Sequence, residues 1–131
     1  MDNNQSLSSE NGKICYVEIP AVDIAKSSKF YEEVFGWHIR KDNSGHVAFD
    51  DGVGQVSGMW VLDRPLAKEP GLIVSIMVDN ASKAIDAITA HGGEIVRPLD
   101  SGEYGSTAWF RDPAGNVFGI YKEPTTNISS Q

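Results

Sequence analysis

Apolar positions along this chain recur with two different spacings, and the switches between them mark its elements. A continuous apolar run over residues 14–19 suits a strand. Asp23 can then cap a helix whose Ile24, Tyr31, Val34 and Phe35 fall on one face, and Gly36 can end it in the left-handed conformation. Residues 37–41, 46–49 and 55–62 read as strands, separated by turn chemistry at Asp42-Asn43-Ser44-Gly45 and Asp50-Asp51-Gly52. A linker over 63–71, carrying Pro65 and Pro70, interrupts regular structure. The order then begins again. A strand over 72–78 precedes a cap at Asn80 and a helix with Ala81, Ala84, Ile85 and Ile88 on one face, ending at Gly92-Gly93. Strands over 94–97, 106–111 and 117–122 complete it.

The pattern predicts an α+β protein of two tandem βαβββ units, 13–66 and 71–124, forming one domain over 13–124. The polar segments 1–12 and 125–131 are expected to be disordered tails. Duplication has direct support in the sequence. Asp23 precedes Gly36 by thirteen positions, and Asp79 precedes Gly92 by the same number. Residues 54–60 also align without gaps on 115–121, which pairs Gly58 with Gly119. The rival is an ordinary α+β sandwich with helices on one sheet.

Composition narrows the function classes. With 131 residues and 40% apolar content, there is material for one compact domain. The net charge of −7 leaves no basic cluster to grip nucleic acid or an anionic membrane, so neither is expected as a partner. A single cysteine, Cys15, cannot form an internal disulfide, and the first residues lack the basic-then-apolar character of a signal peptide. A cytoplasmic location is the expectation.

Residues Lys13-Ile14-Cys15-Tyr16-Val17-Glu18-Ile19-Pro20, followed by Asp23, Phe30-Tyr31 and Val34-Phe35-Gly36-Trp37, resemble the opening of glyoxalase-like proteins. The ending Asp112-Pro113-Ala114-Gly115-Asn116-Val117-Phe118-Gly119-Ile120 resembles the closing turn and strand of the same group, the glyoxalase/bleomycin resistance/extradiol dioxygenase (vicinal oxygen chelate) superfamily. The resemblance implies two half-open sheets that enclose a small-molecule cavity, a divalent metal in many members, and a homodimer. Carried over by motif spacing, the four metal-ligand positions of that superfamily fall on Tyr16, Gly58, Ile73 and Gly119. None is a histidine or carboxylate, whereas a divalent ion needs several oxygen or nitrogen donors. The expectation is therefore a site with no metal and no other cofactor. His38, His46 and His91 fall in outer strands, a turn and a helix end, where surface or packing roles account for them.

Strand alternation assigns the cavity-facing residues. In the first strand Cys15, Val17 and Ile19 suit the helix side, which makes Cys15 a buried structural thiol and leaves Tyr16 and Glu18 facing the cavity. The same alternation gives Gly58 and Trp60, then Ile73 and Met77, and finally Gly119 and Tyr121, with Trp109 and Arg111 added on weaker grounds. This set is the expected ligand site. Tyr16 and Glu18 are its catalytic candidates, Glu18 as acid/base and Tyr16 as a hydrogen-bond donor. Glu18 has an equally simple role as a salt-bridge partner of Arg111. Three functions stay open: a glyoxalase-like lyase or isomerase, a small-molecule sequestering protein of the bleomycin-resistance type, and a structural or interaction module.

Overall fold

The computed structural model describes residues 10–124. The chain divides into two compact units, the first ending at Leu66 and the second beginning at Ala67. Each is a βαβββ unit with a mixed four-stranded sheet. Of the expected tails, residues 1–9 and 125–131 lie outside the described residues, and Glu10, Asn11 and Gly12 are exposed. Among the described residues, no helix is long and apolar enough to cross a membrane.

In the first unit β1 (Tyr16–Pro20), α1 (Ile24–Phe35), β2 (His38–Lys41), β3 (Val47–Asp50) and β4 (Ser57–Val61) follow in order. The sheet runs β1-β4-β3-β2, with β1 parallel to β4 and the other pairs antiparallel. Asp23 starts α1 because its carboxylate accepts the Lys26 N–H at 3.1 Å, one of the helix's unpaired first-turn donors. Gly36 ends the helix at φ 70°, a conformation that a Cβ would disfavour. The helix packs on β2, β3 and β4 over an aromatic core. Tyr31 stacks on Trp37 at 4.6 Å between ring centroids, Trp37 on Phe49 at 4.5 Å, and Phe49 leans on Trp60 at 4.9 Å. The third strand starts one residue later than the sequence suggested. Asp42 accepts from the backbone of both Ser44 and His46 at 2.9 Å, and that side-chain turn delays pairing to Val47.

The second unit contains β5 (Ser75–Met77), α2 (Ala81–Ala90), β6 (Glu94–Gly102), β7 (Gly105–Arg111) and β8 (Val117–Lys122), with strand order β5-β8-β7-β6. Asn80 caps α2 through Lys83 N–H at 3.0 Å. The core gathers Ile88, Ala108, Phe110, Phe118 and Ile120. Two strands differ from expectation. β5 is three residues rather than seven, and Leu72 and Val74 before it are exposed. β6 continues to Gly102, with its register shifted between Ile95 and Arg97 and again between Arg97 and Asp100. Pro98 lies in the second irregular stretch. It has no N–H for a ladder, so the strand stays at the sheet edge and loses regular pairing there.

The turn after β7 also secures the start of this unit. Asp112 is buried and accepts from the N–H groups of Ala114, Gly115 and Asn116 at 2.9–3.0 Å. Buried Asn116 accepts the Ala67 N–H at 2.8 Å, while Ala67 O receives the Val117 N–H at 2.9 Å. The five-residue turn over 112–116 thereby pins the linker to the sheet.

Candidate functional site

Strand pairing defines the side of the first sheet that faces away from α1. One cross-strand row runs Tyr16, Ser57, Asp50, His38, and the next runs Glu18, Met59, Ala48, Arg40. The intervening row, Val17, Gly58, Phe49, faces the helix. This corrects the expected place of two site residues. Trp60 pairs with Ile19, is 2% exposed and lies in the aromatic core rather than on the open face. A Cβ on Gly58 would strike the Val17 carbonyl oxygen and sit 2.5 Å from Cζ of Phe49, so the glycine makes room for core packing.

The cause is a slip of one residue in the internal alignment. Ile19 and Ile76 each precede their helix cap by four residues and pair with Trp60 and Ile120 respectively. Trp60 therefore corresponds to Ile120, and Met59 rather than Gly58 corresponds to Gly119. A one-residue slip moves a whole strand to the other face. Cys15 needs correcting too: it precedes the pairing that begins at Tyr16 and is exposed.

Tyr16, His38, Ile39, Arg40, Lys41, Asp42, His46, Ala48 and Met59 line a groove of about 580 Å³ that runs along β2 and reaches this open face. Its polar groups are held by ion pairs. Asp50 accepts Nε and Nη2 of Arg40 at 2.9 and 3.1 Å and the Ser57 hydroxyl at 2.7 Å. The Arg40 hydrogen bond holds the Asp50 carboxyl below its ordinary 3.8, against partial desolvation and with help from Ser57. His46 Nδ1 lies 3.0 Å from Asp42, and the His46 backbone N–H is the main reason that Asp42 is also lowered. Because the Asp50 value is lower in the folded state, its contribution is present above 3.8 and disappears as pH falls through the folded value. Denaturation of wild type and Asp50→Asn in parallel should show a gap of about 1 kcal/mol or less at pH 7, since Arg40 is half exposed, closing below pH 3.8.

Glu18 does not pair with Arg111. Its Oε1 lies 2.6 Å from Nη1 of Arg64, both side chains being partly exposed. Arg111 instead meets Glu94 at 2.7 Å within the second unit.

In the second unit Ser75, Gly119, Trp109 and Arg97 form one cross-strand row, and Met77, Tyr121 and Thr107 the next. A Cβ on Gly119 would approach Ser75 Oγ at 2.8 Å, Ile73 Cγ2 at 3.3 Å and Trp109 Cδ1 at 3.4 Å, which places all three side chains on its side of the sheet. Arg111 lies two residues on from Trp109, so alternation gives it the same side. Arg97 lies over the Trp109 ring at 4.5 Å from the centroid, and Tyr121 donates its hydroxyl to the Tyr104 carbonyl at 2.7 Å. Sequence reasoning missed His38, Arg40, Asp50 and Met59. The first two were visible as alternate residues of β2, and Met59 follows once the β4 slip is removed.

The structural register replaces Gly58 by Met59 among the four positions carried over from metal-dependent proteins. A phenol, a thioether, an alkyl chain and a glycine do not make a donor set for a divalent ion. Among the described residues, no group of three or more His, Cys, Asp or Glu side chains could hold one.

Comparison with known proteins fits this geometry. The family described as "Glyoxalase/Bleomycin resistance protein/Dioxygenase superfamily" matches residues 13–120. A "Glyoxylase-like domain-containing protein" of Didymella fabae is 28% identical, over 87% of this chain and 96% of its own. Among solved structures, a glyoxalase/bleomycin resistance protein/dioxygenase family enzyme from Burkholderia phytofirmans PsJN superimposes with a TM-score of 0.70 at 19% identity, covering 86% of this chain and all (100%) of that one. A superfamily member from Sphaerobacter thermophilus gives 0.69 at 20% identity, over 86% and 98%. At these identities the two structures speak for the fold alone.

Proposed function

This chain belongs to the glyoxalase/bleomycin resistance protein/dioxygenase superfamily, and from that premise we propose that it binds a small flat or oxygenated molecule without a divalent ion. The observation that carries this reading is the chemistry of Tyr16 and Met59 in the first unit and of Ile73 and Gly119 in the second, which suits contact with an apolar or aromatic body rather than coordination. From the first face we assign Tyr16 and Glu18 to the ligand. From the second we assign Ile73, Met77, Trp109, Arg111, Gly119 and Tyr121. Gly58 and Trp60 are withdrawn because they face the helix.

Sequestration is favoured over proton transfer by the Glu18–Arg64 pair. Arg64 at 2.6 Å holds one carboxylate oxygen and fixes the side chain, which suits a static binding anchor. The lyase or isomerase reading, with Glu18 as acid/base and Tyr16 as donor, retains support from the half-exposed Tyr16 beside the groove. A homodimer belongs to the same proposal, supported by the exposed Ile14, Leu72 and Val74. So does a reducing, cytoplasmic setting, supported by the free, exposed Cys15. Light scattering that returned the monomer mass at every concentration would remove the dimer.

The Glu18→Gln variant tests the anchor. The wild-type pair is partly exposed and worth at most about 1 kcal/mol, so the denaturation midpoint should move little. Affinity for a molecule that co-purifies with the protein should fall about tenfold or more, as a charge-assisted contact of ~1.5–3 kcal/mol is lost. Unchanged affinity with a large stability loss would make Glu18 a structural residue.

A further inference from the structure

We infer that the groove along β2 of the first sheet receives the anionic end of a small planar carboxylate, with Arg40 as its fixed recognition group. This rests on the small-molecule reading above and adds the charge class. The volume of about 580 Å³ lies inside the ~300–1,000 Å³ of small-molecule sites. Its chemistry departs from that of the chain, which carries a net charge of −7. Arg40, Lys41, His38 and His46 all line the groove, whereas Asp42 is the one carboxylate in its lining. Asp42 is already engaged by His46 Nδ1 and by two backbone N–H groups.

Arg40 is prepared for this task. A guanidinium has five N–H donors in a plane, and Asp50 takes one from Nε and one from Nη2. Asp50 is in turn held by Ser57, so the plane of Arg40 is set before any ligand arrives. Three donors remain, including both on Nη1, and the side chain is 49% exposed. A forked donor fits a carboxylate in a way that a single ammonium does not. Lys41, also lining the groove, adds charge. Beside these groups Tyr16 offers a half-exposed ring and Met59 a thioether, while Ala48 between Met59 and Arg40 leaves space for a flat body.

Titrating the full-length protein with benzoate and with benzamide, followed by amide NMR, separates charge from shape. Benzoate should shift the signals of residues 38–42 and 48, and should bind at least tenfold more tightly than benzamide. Arg40→Gln should abolish that preference. Arg40→Lys keeps the charge and a partner for Asp50 while losing the fork, so it should retain the fold and lose most of the preference. Equal binding of the two probes in the groove would overturn the anion assignment and leave the small-molecule reading standing. Benzoate shifts confined to the second unit, no benzoate binding, or an undiminished preference in both Arg40 variants would overturn it as well. The small-molecule reading fails separately, if no co-purified molecule is found and neither probe binds anywhere.

Discussion

Gly58→Ala should destabilise the protein by about 3 kcal/mol or more, at or beyond the upper end of ordinary overpacking. The added methyl would meet the backbone oxygen of Val17, which β1 holds in a parallel ladder, and the ring of Phe49, which is stacked against Trp37. Neither neighbour is the free end of a flexible side chain, so the strand itself must shift. Gly119→Ala is the informative partner. Its closest neighbour would be the rotatable Ser75 hydroxyl at 2.8 Å, and the next contacts lie at 3.3 Å or more. Its cost should be distinctly smaller, with the main change in ligand binding. Urea denaturation of both variants checks this; equal, small losses would mean that Gly58 does not face the core.

Trp60→Ala should cost about 3–5 kcal/mol, the usual range for removing a large buried aromatic side chain. Trp60 is 2% exposed and touches Tyr31, Trp37 and Phe49, so its loss opens a cavity at the centre of the first unit. Trp60→Phe should cost less. It keeps most of the ring volume and removes an indole N–H that is buried with no hydrogen-bond partner among the described residues. Had Trp60 lined a ligand site, truncation would weaken binding and spare stability. A denaturation midpoint unmoved by Trp60→Ala would contradict the face assignment of β4.

The contrast between Trp60 and Tyr121 explains what was legible in the sequence. Caps are local chemistry: Asp23, Gly36 and Asn80 act through hydrogen bonds or conformations within a few residues, and all three mark the helices where expected. The second sheet was also readable, because Phe110, Phe118 and Ile120 alternate clearly with Trp109, Gly119 and Tyr121. In β4 the sequence Ser57-Gly58-Met59-Trp60-Val61 has glycine and tryptophan on one face and methionine on the other, so apolarity alone does not choose the buried side. The choice came from matching two glycines across the repeat, whereas the parallel pairing with β1 sets the match one residue away.

Glu18 and Arg111 illustrate a second limit. Both were visible as charged residues on inward-pointing positions, but ion pairing depends on where loops and neighbouring strands carry their partners. Arg64 reaches Glu18 from the linker after β4, and Glu94 reaches Arg111 from the adjacent strand β6. The Arg40–Asp50 brace also joins two strands, between residues ten apart, at a register that Asp42's turn helps to set. Such contacts follow from pairing geometry, which composition does not encode.

Binding without a divalent ion is tested most directly by native mass spectrometry of the freshly purified full-length chain, read for bound mass and metal together. The expected spectrum shows a small organic adduct on the folded protein and no stoichiometric divalent ion. One tightly held metal ion per folded chain would contradict it, because Tyr16, Met59, Ile73 and Gly119 could not be its ligand set.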